Sequence, residues 1–583
     1  MLTTDRQTDR QTDRQTGYPS VDKPWLKFYS SEDIAEEIPN SSTVDYLFIC
    51  NTDCDDLFAL NYFGTRITYR VLFERIRDTA EAFENLGVKK GDIVTVISSN
   101  TPETIYCIYA LNMLGAVVCM EYASESEKRI VSSIENCKSK IVVILDVLIN
   151  KFSKIGEIES VNSVVVLPLT ASMPSTYRLL INCRTKKCRI DKSIDFCTLL
   201  KNYKGTKGNQ IIIDGDTPSF IVHSGGTTGI PKSVVLTNRN VNSVVWQLAR
   251  FSKEVKPGDV LLHSIPPFHS FGLVMGIHFP LCARCELVLP VKFDENTIAK
   301  LFKKHRPNHV ILGSAQINSI IENKSIQKMD LSFCRDFVIG GAAITDSQEI
   351  ELRDFLKKHN SIATPCIGYG MSELASAVCT KMNQIYAKVG STGIPLFKAN
   401  IKIVDTENGK ECKYNEIGEL YISSPGLMLE YYENEAETTA TIVHDESGER
   451  WIKTGDLGYI DEEGYVFITG RIKRIYVTRD VETNARYKVF PDYVTNEIGK
   501  IHIVHECAVI CVPDKELLNI PIAYVVKNCE MSDEEAREII NNQLINTMAG
   551  HLIPKEIFFR ESLPHTSVGK IDYKLLEEMF SLK

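Results

Sequence analysis

Three times between Ile67 and Asp146 a stretch with helical apolar spacing gives way to a short, almost wholly apolar run. ITYRVLFERIRDTAEAFENLGV (67–88) precedes DIVTVISS (92–99), PETIYCIYALNMLG (102–115) precedes AVVCM (116–120), and EKRIVSSIENC (127–137) precedes SKIVVILD (139–146). Helical spacing marks one buried face, whereas a strand-length run without polar alternation is buried on both. Few architectures satisfy both demands in alternation, so the expected class is α/β, with helices layered on largely parallel sheets. At about 100–200 residues per domain, 583 residues give about three to five structural units.

The pattern changes along the chain. Residues 396–470 carry short strand signals separated by turns such as ENGK, SPG and DEEG, which predicts a small β-rich subdomain. Beyond about Lys473, the runs HECAVICVPD (505–514) and IAYVVK (522–527), the helical MSDEEAREIINNQLINTM (531–548) and PKEIFFRESLP describe a compact α+β unit of about 110 residues. The expected division is a large N-terminal region of layered α/β subdomains over 17–472, including the β-rich subdomain, and a mobile α+β domain over 473–583. Residues 1–16 stand apart, because Asp5–Thr16 reads DRQT three times and is expected to be disordered. A GACA tetranucleotide repeat encodes that cycle, so a translated microsatellite or misplaced start is the expectation for this tail.

Charge and cysteine content exclude several functions. Lys and Arg number 66 against 75 Asp and Glu, a net charge of −9, which supplies no basic field for nucleic acid. The 17 cysteines have no disulfide-framework spacing and follow no secretory segment, so reduced thiols and a cytoplasmic location are expected. Cys183 with Cys188, and His278 with Cys282 and Cys285, are read as thiols without metal, since neither cluster has a second ligand pair at matching spacing. The most apolar long stretch, 271–291, is interrupted by His278, Arg284 and Glu286, so no membrane span is expected.

FIVHSGGTTGIPKSVVLTNRN (220–240) carries the strongest chemical signal: a strand, a loop of small and hydroxyl residues, a lysine, then another strand. Backbone N–H groups of Gly226 and Gly229, hydroxyls of Ser224, Thr227 and Thr228, and the Lys232 ammonium together form a phosphate-handling loop. A Walker A loop is disfavoured by Pro231, which has no N–H and stands where that loop requires glycine. A plain Gly-rich turn between strands is the alternative.

This loop resembles the AMP-binding signature of the adenylate-forming acyl-CoA synthetase superfamily, which includes fatty acyl-CoA and 4-coumarate-CoA ligases. Six further segments resemble the family's motifs in order: IPPFHSFG (265–272), VIGGAAI (338–344), GYGMSE (368–373), WIKTGDLG (451–458), GRIKR (470–474) and PHTSVGKID (564–572). The resemblance runs from about residue 18 to the C-terminus. It implies an AMP-forming acid–thiol ligase using ATP, Mg²⁺ and coenzyme A.

By the same resemblance, Lys570 meets the acyl carboxylate and α-phosphate, and Glu373 is the Mg²⁺ ligand with Thr228 beside it. Gly341, Ala342, Tyr369, Gly370 and Ser372 border the nucleotide, Asp456 accepts from the ribose hydroxyls, and Arg471 assists at ribose or phosphate. Lys473 takes the hinge position and His269 the acyl gate. The chemistry agrees: charge developing on the phosphoryl oxygens calls for cations and Mg²⁺, and a hard carboxylate suits that ion. No Asp adjoins Phe268, where amino-acid-activating relatives hold an α-ammonium, so an acid lacking an α-amine is favoured.

The chain departs from the family at Gly225, Ser233, Ser372 and Glu430. It also departs at 476–494, where the span from Arg471 to Pro491 is about five residues longer than usual. Thiol transfer is therefore less constrained by sequence than adenylation. The alternatives are transfer to a carrier-protein pantetheine in trans, an oxygenating use of the adenylate, or a non-catalytic nucleotide-binding relative.

Overall fold

The computed structural model describes residues 16–182, 190–203, 212–224, 232–252, 254–290, 293–342, 344–381, 388–479, 484–566 and 570–582. The alternation seen in the sequence becomes helices Tyr69–Asn85, Pro102–Met113 and Glu127–Asn136, each followed by one of the strands Ile93–Ile97, Val117–Met120 and Ile141–Leu145. Hydroxyl side chains set the helix starts: Thr101 caps the second helix, with Pro102 at its first position, and Ser126 caps the third. The first helix starts at Tyr69, later than the apolar spacing suggested. Ile67 belongs to the strand Thr65–Thr68, and Thr68 serves as the cap by accepting from Val71 N.

Those strands enter an eight-stranded sheet. Pro218–His223, Val117–Met120, Ile93–Ile97, Ile141–Leu145, Ser163–Leu167 and Ser193–Asp195 run parallel. Ser233–Thr237 and Glu430–Tyr431 extend the sheet antiparallel beyond Pro218–His223. A nine-stranded sheet has the parallel strands Val260–His263, His309–Gly313, Asp336–Gly340 and Pro365–Tyr369 at its centre. The helix Pro102–Met113, buried along almost its whole length, and Asn238–Phe251 share a single apolar core with residues of both sheets. Residues 400–471 form a five-stranded antiparallel sheet built on the long strand Arg450–Ile460, as the turn-rich sequence predicted.

After Arg471 the chain builds a separate core. Strands Val504–Asp514, Leu518–Lys527 and Glu556–Phe559 carry the helices Pro491–Gly499, Asp533–Thr547 and Tyr573–Ser581. The lengthened segment supplies a β-hairpin, Tyr476–Arg479 against Arg486–Val489, tied to the C-terminal unit by Arg479 donating to Glu516 O.

Several expectations meet the structure directly. Residues 1–15 lie outside the described part, but Thr16 belongs to the fold, donating to Asp22 from both its backbone N and its hydroxyl. All described cysteines are free thiols; Cys183 and Cys188 are outside the described residues. His278 is a hydrogen-bonded core histidine: Nδ1 lies 3.0 Å from Tyr109 OH and Nε2 3.0 Å from Asn242 Oδ1. The apolar stretch at 271 forms a π-helical segment, Phe271–His278, running into Phe279–Cys282. Among the described residues no helix is long and apolar enough to cross a membrane.

Candidate active site

The Gly-rich loop expected to handle phosphate leaves the eight-stranded sheet at His223 and returns at Ser233, which are register partners. Its neck is closed by Ser224 N donating to Lys232 O at 2.9 Å. Gly226, Thr227, Thr228 and Gly229 lie outside the described residues. Lys232 pairs with the Glu437 carboxylate and stands 4.8 Å above the Tyr431 ring. Tyr431 in turn donates to Glu373 Oε1 at 2.8 Å. Glu373 is buried, and its carbonyl accepts Met428 N. The carboxylate beside the loop is thus held in a fixed orientation.

Backbone geometry explains the small residues that precede Glu373. A Cβ on Gly370 would lie 1.6 Å from Ser376 O, so only glycine lets the chain turn from the strand Pro365–Tyr369 into Ser372–Leu374. Ala375 and Ser376 follow with φ of +50° and +105°, a costly conformation for residues bearing a Cβ and one that clusters at functional sites. Ser372 lies at the start of that turn, its carbonyl accepting Ala375 N. Gly341 has φ of +90° with open space around its α-carbon, and Ala342 beside it is half-buried. At Gly340 a Cβ would press 2.9 Å from the Phe271 ring, which joins the Gly-Gly-Ala segment to the aromatic block.

Asp456 and Arg471 are register partners in the five-stranded sheet, and Arg471 Nε lies 2.8 Å from Asp456 Oδ1. Tyr369 donates to Asp456 Oδ2 at 2.6 Å. Each carboxylate oxygen keeps lone-pair capacity beyond the bond it accepts here, so two further hydroxyl donors can still be received. Burial, followed by the adjacent Asp456 charge, raises the Tyr369 phenol well above its ordinary range, and it remains a donor.

The C-terminal unit brings Lys570 to the same place. Its residue surface is solvent-exposed, yet desolvation of the ammonium is the first cause lowering its pKa. Repulsion from Arg471 adds to that, and the Asp456 and Glu373 carboxylates oppose it. The Lys570 charge also reaches His269, whose imidazole is lowered to about 4, first by burial and then by Lys570. His269 is therefore neutral near pH 7. Its ring packs 4.8 Å from Phe268 and edge-on to Tyr122 at 5.2 Å.

Lys473 lies in the single turn Ile472–Arg474. Arg471 on one side is held by Asp456 of the large region. Arg474 on the other pairs with Asp492, donates to Val509 O and stacks 3.5 Å from the Tyr573 ring centroid, all within the C-terminal unit.

Lys232 and Glu373 are thus joined through Tyr431, Tyr369 and Arg471 through Asp456, and the Lys570 charge interacts with Arg471, Asp456, Glu373 and His269. The sequence reading missed Glu121, Tyr122, His223 and Glu437. The first three carried a signal: ionisable or hydroxyl-bearing groups at the ends of otherwise apolar strand runs, where a buried polar side chain requires a partner. Glu437, within an ordinary polar stretch, gave none.

A divalent ion is implied by the family. Glu373 fits one by its chemistry, being a buried hard-oxygen donor with a fixed orientation; Thr228 lies outside the described residues.

Known proteins match this layout along nearly the whole chain. A family model described as AMP-binding enzyme covers residues 50–432, and one described as AMP-binding enzyme C-terminal domain covers 494–570. The long-chain-fatty-acid–CoA ligase of Bacillus subtilis (strain 168) is 28% identical over 95% of this chain and 98% of its own length. The 4-coumarate–CoA ligase 3 of Arabidopsis thaliana is 26% identical, covering 87% of this chain and 85% of its own. In fold, the crystal structure of the anthranilate CoA ligase AuaEII in complex with anthranoyl-AMP superimposes with a TM-score of 0.81 at 20% identity, covering 94% of this chain and 99% of that one. With both regions matched in order, the chain belongs to the AMP-binding enzyme family.

Proposed function

We propose that the chain joins a carboxylic acid to coenzyme A in two steps. The acid's carboxylate oxygen forms a bond to the ATP α-phosphorus, the bond from that phosphorus to the bridging oxygen breaks, and pyrophosphate leaves. The coenzyme A sulfur then bonds to the acyl carbon as AMP departs. What supports the first step is that Asp456, held by Tyr369 and Arg471, and Glu373, held by Tyr431, both act electrostatically on Lys570 of the C-terminal unit, whose charge in turn reaches His269. Lys570 neutralises charge growing on the α-phosphoryl oxygens while Lys232 serves the other phosphates. Asp456 takes the ribose hydroxyls, with its orientation set by Tyr369 and Arg471. Mg²⁺, held at Glu373, would supply Lewis-acid stabilisation of phosphate charge when bound.

Tyr122, Phe268 and a neutral His269 pack together where the acyl gate is expected, and no Asp adjoins Phe268 in the sequence, which supports an acid without an α-amine. The paired anchors Arg471 and Arg474 support a boundary between the 17–472 region and the 473–583 lid at Lys473. Rotation there would exchange the residues facing the adenylate between half-reactions. ATP–pyrophosphate exchange with short, medium, long and aryl acids, followed by coenzyme A consumption, tests this reading. No exchange with any acid refutes it, and exchange without coenzyme A consumption removes the second step.

A further inference from the structure

Glu121 and His223 are buried ionisable residues at the ends of adjacent parallel strands, and adenylation as described uses neither. His223 Nε2 lies 2.7 Å from Glu121 Oε1 and Nδ1 lies 3.3 Å from Ser233 Oγ. A carboxylate only accepts, so Nε2 carries the proton toward Glu121, and Nδ1 is the ring atom that meets the Ser233 hydroxyl. Ser133 on the covering helix also donates to Glu121 Oε1, while Oε2 has no partner among the described residues. This line ends at the first residue after Lys232, on the returning strand of the phosphate loop.

We infer that Glu121 is a positioning residue which acts through His223 to hold Ser233, and with it the neck of the loop, in register for nucleotide binding. A metal in this cluster is the competing account. Cys119 Sγ lies 3.9 Å from Glu121 Oε1 and 4.0 Å from His223 Nε2, giving three mutually close donors. The geometry favours the hydrogen bond. Two ligands each about 2.0 Å from a tetrahedral ion stand about 3.3 Å apart, and the Glu–His separation is well inside that. Tyr122 extends the same assembly: its hydroxyl lies 3.2 Å from His223 O and 3.5 Å from His269 Nδ1, linking loop neck and acyl gate.

The nucleotide arm of the test rests on the adenylation reading; the imidazole arm does not. Nitrogen-15 NMR of the histidines should show His223 as the Nε2–H tautomer in the wild type and in Glu121→Gln, whose amide oxygen can accept the same proton, and a changed signal in Glu121→Leu. Glu121→Leu should raise KM for ATP about tenfold with kcat and KM for the acid little changed, and Glu121→Gln should restore most of that loss. Ser233→Ala should cost a similar factor alone and almost nothing more when added to Glu121→Leu, because residues acting in one line are not additive. An Nδ1–H tautomer, strictly additive costs, or stoichiometric metal in the purified protein would overturn the inference. So would a Glu121→Leu protein that melts lower but keeps its KM for ATP. A wild type that binds no ATP would sink the adenylation reading and leave the tautomer and metal content to decide this one.

Discussion

Lys570→Ala separates a lysine that acts in the cleft from one that merely faces solvent. Its turn is closed by the backbone, with Lys570 N donating to Thr566 Oγ1 at 3.2 Å and Thr566 N donating to Lys570 O at 2.7 Å, so alanine preserves the local fold. An ammonium about 4 Å from a phosphoryl oxygen interacts by about 4 kcal/mol at an effective dielectric of about 20, close to a thousandfold in rate. The solvent access of Lys570 lowers that figure, and loss of a single preorganised donor costs about 10²–10³ in kcat. ATP–pyrophosphate exchange should therefore fall by about 10²–10³. Thioester formation from pre-made acyl-AMP and coenzyme A should change by less than about threefold.

The same variant has a second readout that needs no catalysis. Lys570 is the second cause, after burial, of the depressed His269 pKa, so removing it should move the imidazole upward from about 4 in an NMR titration. The wild-type rate should also fall on the alkaline side at lower pH than for an ordinary lysine, because the ammonium's pKa is lowered and the protonated form is the one needed. Exchange within about threefold of wild type, with an unmoved His269, would refute the assignment of Lys570.

Four further expectations follow from buried and paired charges. Burial holds His263 at about 4 and His278 at about 3, so below about pH 6.5 the unfolded chain takes up protons that the folded chain does not. Stability should fall on acidification by about 1.4 kcal/mol per pH unit for each, a flat urea midpoint between about pH 6.5 and 4.5 contradicting this. His309, raised by Asp259 and Asp336, has the opposite sign: its contribution is full below about pH 6.5 and is lost as pH rises through its folded value. Lys381→Met removes the buried ammonium 2.8 Å from the Glu349 carboxylate, which keeps Arg353 at 3.0 Å and Gly390 N at 3.2 Å, and should cost about 1–3 kcal/mol in denaturant unfolding, with Glu349→Leu in the same chain recovering part of it. Glu437→Gln releases Lys232 from a half-exposed pair worth about 0–1 kcal/mol and should lower KM for ATP by up to about fivefold, whereas a raised KM would mean that Glu437 helps to orient the lysine.

The α/β layers were legible because helix spacing and apolar strand runs alternate within single stretches of chain. The C-terminal unit was legible for the same reason, since two apolar strands and a capped helix stand close together. Boundaries were less so: Ile67 fits the helical spacing, but pairing with Phe58–Tyr62 claims it for a strand. The lengthened 476–494 segment carries a length difference but no pairing signal in sequence, and its cross-strand pairs Tyr476 with Val489 and Thr478 with Tyr487 become apparent only with register. At the site, motif residues could be named individually. Their partners could not, because Glu437 is 205 positions from Lys232 and Tyr431 is 58 from Glu373. Sequence spacing carries no information about such contacts.

Those partners change what the net charge of −9 means for nucleotide binding. Each cation assigned to phosphate or ribose already interacts with a carboxylate: Lys232 pairs with Glu437, Arg471 pairs with Asp456, and the Lys570 charge is acted on by Asp456 and Glu373. An acidic protein pre-organised in this way keeps its cations oriented without substrate, but an incoming phosphate must compete with the resident carboxylate. Added salt screens the exposed Lys232 pair more than the buried Asp456 carboxylate. Moderate salt therefore weakens two opposing terms at the loop, phosphate attraction and Glu437 competition, and leaves the ribose end nearly untouched. Binding of ATP to this cleft should depend on salt less steeply than its phosphate charge alone implies, and Glu437→Gln should restore the steeper dependence by removing the competing term.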